Sequence, residues 1–135
     1  MANTKTTILD NLVEQLATIT GIAKSTRILL TPNEARQHSP YIGLIAGSEE
    51  AVVEDITDVR YELEVNLILL KKGRDIETML DDVKQLLYDS TLAATIGALQ
   101  VRIIGQEEVA LIDSDVYSST RIAAIITYVA SKAGF

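Results

Sequence analysis

The sequence predicts an α+β domain: a mostly antiparallel sheet with two helices packed on one face, in the order α-β-β-β-α-β-β. Two segments, Ile8 to Ile19 and Ile76 to Leu87, place apolar residues at helical spacing. Others alternate apolar and polar residues with the period of a half-buried strand, most clearly Tyr61 to Leu69. The 135-residue length suits one domain with one core.

The first helix is expected near residues 5–19. Ile8, Leu9, Leu12, Val13, Leu16 and Ile19 form its apolar face, and Gly21 ends it. Thr26 to Leu30 reads as a short strand, followed by the polar loop NEARQHS up to Pro40. Tyr41 to Gly47 reads as a strand with mixed faces, whose glycines suggest a bulge or a close backbone approach. Ser48 to Asp58 is acidic, and reads either as a loop or as the twisted tip of a long hairpin. Val59 to Lys72 is a long strand, broken by Gly73. Asp75 is placed to cap the second helix, which buries Ile76, Met79, Leu80, Val83, Leu86 and Leu87. Ala98 to Gly105 alternates again and reads as a strand, and QEEVALIDSDVYSS as an acidic connection. Thr120 to Ser131 reads as a final strand, favoured over the alternative of a helix by its β-branched content, with Ile122, Ile126 and Tyr128 on one face and Ala123, Ile125 and Val129 on the other.

The alternation in the long strand fails at its end. Tyr61, Leu63, Val65, Leu67 and Leu69 share one face, and Glu62, Glu64 and Asn66 begin the other, but Ile68 and Leu70 continue that polar face as apolar residues. Two helices cover only part of one face of such a sheet, so the apolar surplus points to a partner. Ile68 and Leu70 are therefore candidate interface residues, expected to lie under a neighbouring subunit or an extended segment of this chain.

The residues offer little catalytic chemistry. His38 sits in a polar loop beside Ser39 and Pro40, with no nucleophile-elbow motif, and reads as a solvated loop histidine. Asp113 and Asp115, with Glu107 and Glu108, lack the ligand spacing of a calcium loop and read as a solvated acidic stretch. No phosphate-cradling glycine motif occurs, so no cofactor, metal or catalytic set is assigned. The chain has no Cys, which excludes disulfides and thiolate metal sites. The N-terminal MANTKTTILDNL does not read as a signal peptide, and no apolar run approaches the length of a membrane span. The net charge of −7 argues against a phosphate-binding surface, because affinity for nucleic acid comes mainly from clustered Lys and Arg. Five acids, Glu49, Glu50, Glu54, Asp55 and Asp58, crowd the stretch from Ser48 to Asp58. They suit a solvated loop, or a surface that must not bind DNA.

The order of these landmarks resembles the tail terminator (tail completion) proteins of long-tailed bacteriophages over nearly the whole chain. The landmarks are the N-terminal amphipathic helix leading into ITGI, the strand PYIGLIAGSEE with its acidic continuation, and the long alternating strand YELEVNLILL. After them come a charged turn and a helix ending in LLYDSTLAATIGAL, then a strand, an acidic loop and the final strand RIAAIITYVAS. The resemblance implies a non-enzymatic virion protein, made in the bacterial cytoplasm. Such a protein forms a homo-oligomeric ring, usually a hexamer, on the end of the tail-tube protein. It stops tube polymerisation and meets the head-tail connector protein, and DNA passes through its channel without specific binding. On this reading Glu49, Glu50, Glu54 and Asp55 are candidate channel-facing acids. The rivals are a neck connector or stopper, a tail-tube subunit, and, from another class, a small α+β ligand-binding module.

Overall fold

The computed structural model describes residues 4–27, 31–73, 75–112 and 116–131. It shows a mixed α+β fold around one mostly antiparallel sheet. In chain order the elements are α1 (Thr4–Ala17), β1 (Lys24–Thr26), α2 (Pro32–Gln37), β2 (Tyr41–Glu54), β3 (Asp58–Lys72), α3 (Glu77–Tyr88), α4 (Leu92–Ile96), β4 (Gln100–Gln106), β5 (Ala110–Ile112) and β6 (Tyr117–Ser131). The sheet runs β1-β2-β3-β6-β4, and β5 pairs with the start of β6 on the same side as β4. Among the described residues, only the β1–β2 pairing is parallel.

The centre of the sheet is the β3–β6 pair, two 15-residue strands in register from Asp58↔Ser131 to Lys72↔Tyr117. Residues directly opposite one another share a face, so the register divides the sheet. On one face, Leu63, Val65, Leu67 and Leu69 of β3 join Ile122, Ala124, Ile126 and Tyr128 of β6 and Ile42 and Leu44 of β2. Three helices cover this face: Ile8, Leu9, Leu12 and Leu16 of α1, Met79, Leu80, Val83 and Leu87 of α3, and Leu92 and Ile96 of α4. Each fully buried aliphatic side chain here contributes about 1.5–3 kcal/mol, which fixes which face of β3 turns inward.

Several boundaries depart from the sequence reading. A short strand is described at Lys24–Thr26; of the strand expected over Thr26 to Leu30, Ile28 to Leu30 lie outside the described residues. The expected NEARQHS loop contains α2. Its start is capped by Thr31: the Glu34 N–H donates to Thr31 Oγ1 (3.3 Å), and the Thr31 hydroxyl donates to the Glu34 carboxylate (2.8 Å). Asp75 does not cap α3. The N-cap is Ile76, fully buried and with no side-chain cap bond, so burial of its side chain sets the start of that helix. The chain leaves the helix at Asp89 and turns again into α4. There the Thr91 N–H and hydroxyl both donate to Asp89 Oδ1 at 2.8 Å, which holds the Asp89 carboxyl below its usual range. Gly97, at φ +87°, closes α4 in a left-handed conformation.

Candidate functional site

The acidic segment is a strand arm. β2 continues from Tyr41 to Glu54, and every residue of it from Ile45 onward is exposed. It bends at two irregularities, between Ala46 and Glu49 and between Ala51 and Val53. Gly47 belongs to the first, where an added Cβ would sit 3.3 Å from the Glu64 carbonyl oxygen, so the close approach predicted for these glycines is present. The turn is held by the Asp55 N–H donating to the Asp58 carbonyl (2.8 Å) and by the Ile56 N–H donating to Asp55 Oδ1 (2.7 Å). The arm carries exposed apolar residues, Val52, Val53 and, at the tip, Ile56, which is 88% exposed.

The four candidate channel acids do not share one surface. Glu49 lies opposite Leu63, on the helix-covered face. Its side chain, 24% exposed, accepts a short hydrogen bond from the Tyr128 hydroxyl and lies 4.0 Å from Lys5 Nζ. Glu50 lies opposite Glu62, on the uncovered face. Glu54 is exposed at the end of the arm, and Asp55 shapes the turn.

Tyr128 anchors the arm to the core. It is fully buried and stacks on Tyr61, with ring centroids 5.4 Å apart. Burial, then the hydrogen bond to Glu49 and that carboxylate's charge, push its ionisation well above the ordinary tyrosine range. An unfolded tyrosine ionises near pH 10 (about 10), whereas the folded one keeps its proton. Stability from this group is therefore complete below about pH 10 and is lost as pH rises towards the folded value. Thermal melts at increasing pH should show a steep alkaline loss of stability that flattens in Tyr128→Phe. At neutral pH that variant should be destabilised by about 1 kcal/mol.

The two interface candidates separate. Leu70 is only 7% exposed within the single chain, packed with Ala35 of α2, Tyr41 and Tyr117. Of the two covers expected for it, the one present is a segment of its own chain: α2, folded over the end of the sheet on the side away from α1 and α3. The signal that could have found this cover was the T-P-N-E capping box, with Pro at the first helical position. Ile68 stays half-buried. With Glu107, Glu108, Ala110, Ser119 and Arg121 it lines an open depression of about 190 Å³.

Around Ile68 the uncovered face is a mixed surface. Ile45, Asn66, Ala123 and Ile125 lie among Glu62, Glu64, Arg102 and Arg121. Arg102 is 3.9 Å from Glu62, and Arg121 forms a close ion pair with Glu107. Both long edges of the sheet lack a partner strand among the described residues: β2 beyond Gly43, and β4 with β5 along their outer side. His38 follows α2 in a turn and is half-buried, and Asp113 and Asp115 lie outside the described residues.

No protein-family model matches the chain, and comparison with curated proteins by sequence gives no match. Among solved structures, it is similar to the type 4 fimbrial biogenesis protein PilO from Pseudomonas aeruginosa, with 11% identity and a TM-score of 0.27. That match covers 66% of this chain and 58% of PilO, so this chain spans under two thirds of that one.

Proposed function

We propose that the chain is a structural subunit that works by assembling into a ring, in the manner of a phage tail terminator. The ring caps the tail-tube protein, halts its growth and presents the surface that meets the head-tail connector. The observation that carries this reading is the arm. Ten consecutive strand residues, Ile45 to Glu54, are exposed; they include bare Val52 and Val53, and bare Ile56 follows in the turn. Pairing with β3 accounts for the strand itself but not for its bare apolar side chains, which a subunit interface would bury. A heterologous contact of this kind closes without open polymerisation when the subunits form a ring.

The charge pattern supports a channel that lets DNA slide. Glu50, Glu54 and Asp55 stand on the exposed arm in a chain of net charge −7, and carboxylates lining a lumen repel phosphates. Sedimentation with negative-stain imaging tests the reading. Closed rings of one discrete mass are expected. Long tubes would indicate a tail-tube subunit instead, and a monomer at every concentration would overturn ring assembly.

A further inference from the structure

The two sheet edges that have no partner strand among the described residues match one another. We propose that the outer edge of β2 in one copy pairs antiparallel with the outer edge of β4 in the next, with Glu50 of the first opposite Arg102 of the second. This pairing rests on the reading of the chain as a ring subunit.

Strand direction permits it. β3 is antiparallel to β2, β6 to β3 and β4 to β6, so β2 and β4 run in opposite directions. A second copy, rotated about an axis roughly along the strands, therefore presents its β2 antiparallel to the first copy's β4. The ladder continues without reversing any strand.

Register permits it as well. With Glu50 opposite Arg102, Ala51 faces Val101, Glu49 faces Ile103 and Ala46 faces Gln106. Glu50 and Arg102 both belong to the uncovered face, opposite Glu62 and Ile125. The other three pairs all belong to the helix-covered face, since their partners within the sheet are Tyr61 and Ile126, Leu63 and Ala124, and Val65 and Ile122. Agreement on both sides of the irregular positions is not automatic, because each strand shifts register there: β2 between Ala46 and Glu49, β4 between Ile103 and Gly105. In this register the two irregularities lie opposite one another and their extra residues cancel.

Charge selects this pairing over symmetric ones. From Leu44 to Val53, β2 carries Glu49 and Glu50 and no base, whereas from Gln100 to Gln106, β4 carries Arg102 and no acid. Two β2 edges would set like charges against each other, which destabilises a cross-strand pair, whereas β2 on β4 sets opposite charges together. Neither edge carries the Lys or Pro with which monomeric proteins blunt exposed strands. Arg102, whose side chain is 58% exposed, holds Glu62 only at 3.9 Å and is placed to reach a closer carboxylate.

Cysteine cross-linking tests the pairing cleanly, because the chain has no Cys of its own. Glu50→Cys and Arg102→Cys are made singly, mixed in equal amounts and oxidised at a concentration where the chain assembles. Directly opposed antiparallel residues lie within disulfide reach. The expected product is the mixed dimer linking positions 50 and 102, with each variant alone giving little dimer. Same-variant dimers in equal yield would overturn the pairing in favour of a two-fold contact. Oligomers that form without the mixed cross-link overturn the pairing and leave the ring reading standing, whereas a chain that stays monomeric overturns both. As a second measurement that keeps Arg102 intact, Glu50→Arg should weaken assembly about five-fold per interface, and mixing it with Arg102→Glu should restore it.

Discussion

Leu70→Ser lowers the stability of the folded chain by about 3 kcal/mol, whereas Ile68→Ser, two residues away on the same face, costs under about 1 kcal/mol. The difference comes from what covers each side chain. Leu70 is enclosed by Ala35, Tyr41 and Tyr117 of its own chain. Shortening it leaves a void and places a hydroxyl among apolar atoms, and both effects destabilise. Ile68 is half-buried on the open face, and the rest of its surface is already in water. For a domain of this size, the Leu70 variant should melt about 10 °C lower, measured by circular dichroism. The Ile68 variant should melt close to the parent but assemble more weakly, measured by sedimentation. A parallel loss of stability in both variants would show that Ile68 is core as well.

Replacing Val52, Val53 and Ile56 together by Lys should reduce assembly about a hundredfold while leaving the monomer's melting temperature nearly unchanged. All three side chains are exposed, so the folded monomer loses little contact and its stability should move by less than about 0.5 kcal/mol per site. In an assembly they are the apolar part of the arm. Burying each contributes about 1 kcal/mol, and about 2.8 kcal/mol in total corresponds to a hundredfold in affinity. Lysine on an edge strand also obstructs further strand pairing. Comparing sedimentation with thermal melts for this one variant separates assembly from folding. Rings that form at parent concentrations would remove the arm from the interface.

The acids of the arm illustrate how sequence and structure divide the information. Their clustering is plain in the sequence, but Glu49 and Glu50 are neighbours on a strand and so point to opposite faces. Which face is wet depends on where the helices lie. As a result, Glu49 is drawn to the Tyr128 hydroxyl and Lys5, while Glu50 stays in solvent. No local pattern around Glu49 foretells a bond to a residue 79 positions away.

The sequence by itself determined the α+β class, the inward face of α1, α3 and the long central strand, and the two-sided apolar character at that strand's end. These follow from periodicity, which depends only on nearest neighbours along one element. The Thr-Pro-Asn-Glu signal that starts α2 is also local to the sequence. Only the tertiary structure decided the strand order, which inserts β6 between β3 and β4, and the extension of β2 into an exposed arm. It also decided that Leu70 is covered from within while Ile68 is left open. The physical reason is common to all three: each depends on contacts between residues far apart in the chain, and burial there is set by which elements meet, not by the residues beside them.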